Sequence, residues 1–173
     1  PLVVTDIIDA TLSSTEGLVQ AGHFTVERDV EPGLPPVMGD LLALSQCLQN
    51  LVTNALKYGR DQRWMRIRAR LVEEDHGREI QIAVSDRGIG ITPREIAHVF
   101  EPFYRSPSAA AAQIRGTGLG LSLARRTAES MNGRITVTSE RGQGSTFTLH
   151  LPCAEDAVMT GAKGPSLTTT PQG

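Results

Sequence analysis

Apolar and polar residues follow two different spacings along this chain. Apolar positions that recur every three or four residues predict helices over residues 5–21, 40–58, 92–100 and 119–131. Strict alternation of apolar and polar positions predicts strands over residues 23–30, 63–73, 78–86, 134–140 and 145–152. Short turn sequences join the second strand to the third and the fourth to the fifth, which indicates two hairpins. This order of elements predicts an α/β protein, a two-layer sandwich with a largely antiparallel sheet.

The helix over residues 40–58 carries polar residues beside its apolar stripe. A helix turns about 100° per residue, so Asn50, Asn54 and Lys57 fall within about 60° of one another. An amide oxygen suits Mg²⁺ that already carries phosphate oxygens and water, and Lys57 offers a point charge for phosphate. Tyr58 adds a ring and a hydroxyl. The alternative is an ordinary polar helix edge.

A glycine-containing block, DRGIG, follows the strand over residues 78–86. The carboxylate of Asp86 can accept a hydrogen bond from the 6-amino group of adenine, a donor that guanine lacks at that position. Gly88 and Gly90 permit positive φ and the close approach of a planar base. The alternative is a simple Asp-Gly turn.

Two further glycine blocks are candidates for ligand contacts. In GTGLGLS, the backbone N–H groups of Gly116, Thr117, Gly118 and Leu119 lie at the start of a helix, where anions bind. The block is neither a P-loop nor a dinucleotide fingerprint, because its spacing differs from both. In GQGSTF, the hydroxyl of Ser145 can bond a base edge directly or through water. A glycine hinge and a bulged turn are the alternatives.

Composition narrows the possible classes of protein. The length of 173 residues favours one domain, with 39% hydrophobic and 21% charged residues. A net charge of −2 gives no reason to expect a nucleic acid or a membrane surface as partner. The two cysteines form no metal or disulfide pattern, and Cys47 lies on an apolar stripe, which fits a reducing cytoplasm. Because residue 1 is proline, we expect a fragment of a longer protein. We expect this fragment to be cytoplasmic even if the longer protein is anchored in a membrane.

The blocks occur in a fixed order: NLVTNALKYG from Asn50, DRGIG from Asp86, FEPFYR from Phe100, GTGLGLSLA from Gly116 and GQGSTF from Gly142. Together they resemble the ATP-binding catalytic domain of sensor histidine kinases, within the wider family shared with gyrase, Hsp90 and MutL. The resemblance covers roughly residues 24–152. It implies a Bergerat-type ATP-binding fold, in which a mixed sheet packs on three helices, and it implies ATP and Mg²⁺ as ligands.

The resemblance also implies roles for individual residues. Asn54 binds Mg²⁺, and Asn50, Lys57, Arg105 and Arg115 serve the reaction, the two arginines from the lid. The nucleotide contacts that it implies are Asn54, Lys57, Tyr58, Asp86, Gly88, Gly90, Ile91, Phe103, Tyr104, Arg105, Gly116, Thr117, Gly118, Leu119, Gly120 and Ser145. Ser145 departs from a more common threonine but keeps the hydroxyl.

Asn50 separates two activities within this wider family. Relatives that hydrolyse ATP carry a glutamate general base at that position, whereas a neutral amide cannot take a proton from water. The sequence therefore favours phosphoryl transfer by a protein-histidine kinase over hydrolysis. A gyrase-, Hsp90- or MutL-like ATPase and a non-catalytic nucleotide-binding or docking module are the alternatives.

The acceptor of the phosphoryl group is expected outside this chain. None of its histidines has the HExxTP-like context of a phosphoacceptor; they are His23, His76, His98 and His150. We therefore expect transfer to a separate dimerisation and phosphoacceptor hairpin, and indirectly to a response regulator, with the isolated domain a monomer that contacts neither nucleic acid nor membrane.

Three parts of the chain follow from this interpretation. Residues 1–22 are predicted to form a helical connection from the missing hairpin, residues 23–152 the catalytic domain, and residues 153–173 a mobile tail. Within the catalytic domain, residues 106–116 are predicted to form a mobile ATP lid, because Ala109 to Ala112 have no side chain long enough to anchor it.

Overall fold

A computed structural model describes residues 1–156 of the chain. Its helices are α1 (Val4–Ala21), α2 (Leu41–Tyr58), α3 (Pro93–Ile96), α4 (Pro107–Ala111) and α5 (Gly120–Ser130). Its strands are β1 (Thr25–Val30), β2 (Trp64–Glu74), β3 (Gly77–Asp86), β4 (Arg134–Glu140) and β5 (Gly144–Pro152). Within this part of the chain no helix is long and apolar enough to cross a bilayer.

The five strands form one mixed sheet in the order β1-β2-β3-β5-β4. Strand β1 is parallel to β2, and the other three pairings are antiparallel. The β2–β3 and β4–β5 hairpins confirm the two predicted from sequence. With helices packed on the sheet, the molecule has the predicted α/β architecture.

The core lies between one face of the sheet and helices α1, α2 and α5. On α2 the whole predicted stripe is buried: Leu44, Cys47, Leu48, Leu51, Val52 and Ala55. Facing it are alternate residues of β2 and β3, namely Met65, Ile67, Ala69, Ile80, Ile82 and Val84. Each large aliphatic side chain buried there contributes about 1.5–3 kcal/mol, so this layer fixes α2 firmly on the sheet.

The start of α2 is set by its cap. The Asp40 carboxylate accepts a hydrogen bond from the backbone N–H of Ala43 at 2.8 Å. The last turn of α2 contacts the loop that follows β3, because the backbone N–H of Ile89 donates to the carbonyl of Tyr58. The polar edge of α2 is thereby held against the first glycine block.

Helix α1 belongs to the same core as the rest of the domain. Val4, Ile7 and Ile8 are buried together with the α2 stripe, so the predicted division at residue 22 does not coincide with an edge of the core. Leu18 in the same helix is exposed although its spacing from Ile7 and Ile8 fits an apolar stripe. Whether α1 leads from an acceptor hairpin stays a prediction.

Two predicted boundaries were wrong. The predicted tail begins too early, since Cys153 is buried and pairs with Val37, and the N–H of Ala154 donates to Pro36. Residues 157–173, which make up the rest of the predicted tail, lie outside the described residues. The third predicted helix is also shorter than expected, and α4 forms inside a segment predicted to be a loop.

Candidate functional site

Two adjoining cavities lie between α2, the loop after β3 and the segment that connects α3 to α5. Both are lined by Asn54, Tyr58, Val99, Tyr104 and Leu121. The first, here called the inner cavity, has a volume of about 50 Å³ and is completed by Asp86, Ile89, Gly90, Ile91, Ser106 and Ser145. The second, the outer cavity, has a volume of about 210 Å³ and is completed by Asn50, Thr53, Lys57, Gly116, Thr117, Gly118 and Gly120.

Helix α2 provides the polar wall that the two cavities share. Asn50, Asn54 and Lys57 line the outer cavity, and Asn54 also reaches the inner one. The described residues contain no group of three His, Cys, Asp or Glu side chains that could hold a metal ion. A divalent cation here would therefore depend on amide oxygens and on oxygens brought by a ligand, a donor set that suits Mg²⁺ bound to phosphate.

Asp86 ends β3 at the wall of the inner cavity, with only 6% of its surface exposed. Its Oδ1 accepts a hydrogen bond from the backbone N–H of Gly88 at 2.8 Å. Burial raises the pKa of Asp86 to about 6, against the opposing effect of hydrogen bonds from the backbone N–H groups of Gly88 and Ser145. At neutral pH the inner cavity thus contains a poorly solvated carboxylate that needs a donor.

The first glycine block is required by backbone packing. A Cβ on Gly88 would lie 1.9 Å from the carbonyl oxygen of Tyr58, so a side chain there would separate the loop from α2. A Cβ on Gly90, whose φ is +69°, would lie 2.0 Å from the carbonyl oxygen of Glu140. Gly90 lines the inner cavity, but Gly88 lines neither cavity. The expected contact of Gly88 with a base stays a prediction.

The second glycine block lines the outer cavity at the start of α5. Gly116, Thr117, Gly118 and Gly120 all line it, whereas Leu119 does not. The backbone N–H of Leu119 instead approaches the Thr117 hydroxyl at 3.4 Å. A Cβ on Gly116 would meet only the Lys57 ammonium, at 3.8 Å, so this position faces open space. The start of α5 therefore lines the same cavity as Asn50 and Lys57, and anion binding there stays a prediction.

The predicted contacts at the two ends of the lid segment differ in their position relative to the cavities. Tyr104 lines both cavities, but Phe103 is 71% exposed and lines neither. The Arg105 guanidinium donates to the carbonyl of Ile114 and lies close enough to Tyr58 to oppose the rise in the pKa of that tyrosine caused by burial. Arg115 is exposed and lines neither cavity. Roles for the two arginines at a terminal phosphate stay predictions.

A buried carboxylate that the sequence interpretation missed joins the lid segment to α3. Glu95 is 5% exposed, and its two oxygens accept from the backbone N–H of Thr92 at 2.9 Å and of Ser108 at 3.1 Å. Burial alone would raise the pKa of Glu95, but these bonds and those from the Thr92 and Ser108 hydroxyls outweigh it and hold the pKa at about 2. The T-x-x-E capping box was a visible signal for this residue.

The lid segment is anchored more firmly than predicted. Ala109 in α4 is fully buried and Ile114 nearly so. Ser106 caps α4 by accepting from the backbone N–H of Ala109 at 3.0 Å. A small side chain suffices because α4 turns it directly inward, so the expectation that Ala109 cannot anchor the segment was wrong. The mobility of the segment stays a prediction.

One protein family and several sensor proteins are similar in sequence to this chain. The family described as histidine kinase-, DNA gyrase B- and HSP90-like ATPase matches residues 39–155. The sensor-like histidine kinase SenX3 of Mycobacterium tuberculosis strain H37Rv is 37% identical over 154 residues, which make up 89% of this chain and 36% of that protein. The aerobic respiration control sensor protein ArcB of Escherichia coli K12 is 39% identical over 146 residues, 81% of this chain and 18% of that protein.

A solved structure gives a corresponding likeness in three dimensions. Full-length ShkA in complex with AMPPNP aligns with a TM-score of 0.71 and 25% sequence identity, over 89% of this chain and 31% of that chain. The present chain therefore spans from 18% to 36% of the length of these three proteins. The region matched by the family, residues 39–155, contains every residue that lines the two cavities.

Proposed function

This chain belongs to the family of histidine kinase-, DNA gyrase B- and HSP90-like ATPases, and from that premise we propose that it is the catalytic domain of a two-component sensor histidine kinase. The domain binds ATP with Mg²⁺ and transfers the γ-phosphate to a histidine on a separate domain, on the cytoplasmic side. One observation carries this proposal: the outer cavity is lined by two neutral amides and one ammonium, facing the glycine-rich start of α5.

The inner cavity supports binding of the adenine base. Asp86 is a buried acceptor in need of a donor, and the exocyclic amine of adenine is one. The apolar side chains around it, Ile89, Ile91, Val99 and Leu121, offer contact to the two faces of a planar base. Tyr58 and Tyr104, which line both cavities, lie where the base would join its sugar and phosphates.

The outer cavity supports binding of the triphosphate. Lys57 provides a positive charge, and the backbone N–H groups at the start of α5 provide donors at the positive end of a helix. Asn54 would hold Mg²⁺ through its amide oxygen, with Asn50 beside it. When bound, the ion would neutralise charge on the phosphate oxygens and orient them.

Asn50 directs the chemistry toward transfer. It lies one helical turn before Asn54, where a glutamate would be placed to activate water, and its amide cannot act as a base. The attacking group must therefore arrive on another molecule or domain. In-line attack requires that its nucleophilic atom come within about 3–3.5 Å of the terminal phosphorus.

The histidines of this chain support an external acceptor. His150 is buried, with its two ring nitrogens bonded to Glu79 and Thr136 at 2.7 Å each, and His98 bonds Glu101 at 2.8 Å. No histidine lines either cavity. Phe103 is 71% exposed and Leu123 50%, and we propose these apolar side chains as contacts for the acceptor hairpin.

Binding measurements test the proposal. Calorimetry with ATP, ADP and GTP, each with Mg²⁺ or with a chelator, should show Mg²⁺-dependent binding of the adenine nucleotides and weaker binding of GTP. Equal affinity for ATP and GTP would contradict it. Steady release of phosphate without any acceptor protein would favour the hydrolytic alternative instead.

A further inference from the structure

The hydroxyl of Ser139, at the end of β4, joins three segments of the inner cavity wall. Its oxygen accepts a hydrogen bond from the backbone N–H of Ile91 at 2.8 Å. It also lies 2.9 Å from the carbonyl oxygen of Gly144 and 2.8 Å from the hydroxyl oxygen of Ser145. Ser139 itself lines neither cavity, whereas Ile91 and Ser145 both line the inner one.

These contacts determine which hydroxyl donates. A carbonyl oxygen can only accept, so the bond to Gly144 takes the single proton of Ser139. In the bond between the two serines, Ser145 must therefore be the donor and Ser139 the acceptor. No other hydrogen bond within residues 1–156 involves the Ser145 hydroxyl, which leaves its lone pairs for the cavity.

We propose that Ser139 is a positioning residue that determines nucleotide selectivity. It holds the proton of the Ser145 hydroxyl, so that this hydroxyl can only accept a hydrogen bond from the ligand. This inference rests on the proposed binding of ATP. With Asp86 also an acceptor, the polar groups of the inner wall then match a base edge that donates. A ring nitrogen that accepts is reached only through a water molecule that donates to both the nitrogen and Ser145.

Without Ser139 the discrimination should weaken. In Ser139→Ala the Ser145 hydroxyl loses its acceptor and can turn its proton toward the ligand. A purine with an accepting oxygen at position 6 and no hydrogen on N1, which wild-type protein repels with two acceptors, then gains a donor. One such neutral hydrogen bond corresponds to about a fivefold change in relative affinity.

The experiment compares ATP with 6-O-methylinosine 5′-triphosphate, which carries an accepting oxygen in place of the 6-amino group and, like ATP, has no hydrogen on N1. Calorimetry on the whole chain gives the ratio of the two affinities for wild type, Ser139→Ala, Ser139→Thr and Thr138→Ala. We expect the preference for ATP to fall about fivefold in Ser139→Ala. It should return in Ser139→Thr, which keeps a hydroxyl, and be unchanged in Thr138→Ala, which removes an exposed hydroxyl from the neighbouring position.

The ratio of the two nucleotide affinities distinguishes a positioning role of Ser139 from a role in supporting the fold. A Ser139→Ala variant that weakens both nucleotides equally, or changes neither, would overturn the inference. Failure of wild-type protein to bind ATP would overturn the proposed function instead. If Ser139→Ala does not fold, nuclear magnetic resonance of the wild-type complex decides: a Ser145 hydroxyl proton directed at Ser139 supports the inference, and one directed at the nucleotide overturns it.

Discussion

Replacing Asp86 by asparagine should raise the stability of the domain while lowering its affinity for ATP. The substitution keeps an acceptor oxygen for the backbone N–H of Gly88 and exchanges the other oxygen for a donating amide. It also removes a negative charge from a site that is 6% exposed. Stability and function are thus predicted to change in opposite directions at one position.

The size of the stability change follows from the pKa of Asp86. Burial raises it from 3.8 to about 6. Two pKa units correspond to about 3 kcal/mol of differential interaction between the protonated and ionised forms. The new amide must also be desolvated and weakens the hydrogen bond from the backbone N–H of Ser145, so a gain of about 1–2 kcal/mol in the free energy of unfolding is expected at pH 7.

The pH dependence of wild-type stability shows in which direction the substitution changes the free energy of unfolding. Between pH 3.8 and about 6 the native state holds a proton on Asp86 more readily than the unfolded state does, so wild-type stability falls as pH rises through this window. The variant lacks the titrating group. Its advantage should therefore be full above pH 6 and vanish below pH 4, as measured by urea unfolding at several pH values.

Loss of the acceptor should weaken ATP binding by about 1–3 kcal/mol, or roughly 5- to 150-fold, in calorimetry at pH 7. An Asp86→Asn variant that is less stable than wild type at pH 7 would refute the reasoning. So would a stability difference that does not shrink in acid.

Four further substitutions test other parts of the structure. Glu79→Gln should lower stability by about 1–3 kcal/mol in urea unfolding at pH 7, because hydrogen bonds from Arg134, His150 and Gln81 outweigh burial and hold the pKa of Glu79 at about 2. This contribution is present above pH 4.5 and disappears as pH falls toward 2, the reverse of Asp86. Gly88→Ala should lower the melting temperature, whereas Gly116→Ala should melt like wild type; equal effects would contradict the packing argument. Glu95→Gln should speed hydrogen exchange of the amides at the start of α4, and unchanged exchange would show that Glu95 does not hold the lid.

The polar edge of α2 was predictable because helical periodicity alone brings its residues together. Asn50, Asn54 and Lys57 needed only a helix in the right register, and the Asp40 cap fixed where that helix begins. Asp86 was predictable for a similar reason, since a charged residue at the end of an apolar strand is carried to the edge of the core. Local rules were sufficient for these positions.

The functions of individual glycines were not predictable. Gly88 and Gly116 belong to similar glycine-rich blocks, yet a Cβ on the first would meet the backbone of α2 and one on the second would meet only the end of the Lys57 side chain, at 3.8 Å. Which neighbour a glycine approaches depends on how distant segments pack. The sequence shows that glycine is present without showing whether a ligand or the chain needs it.

Contacts between distant segments were missed for the same reason. The hydroxyl of Ser139 meets Ile91, which lies 48 positions away, and nothing near Ser139 in the sequence marks that contact. Glu95 was predictable only in part. Its capping box with Thr92 is local in sequence, but its bond to Ser108 depends on α4, a helix too short to give a periodic signal.

Transfer of label from γ-labelled ATP tests the central proposal most directly. The chain is incubated with ATP and Mg²⁺, alone or with the purified acceptor hairpin of a sensor histidine kinase, and Asn54→Ala serves as the inactive control. The account predicts acid-labile, base-stable label on the hairpin, none on this chain and none with Asn54→Ala. Label on this chain in the absence of a hairpin, or release of free phosphate at the same rate with and without one, would contradict it.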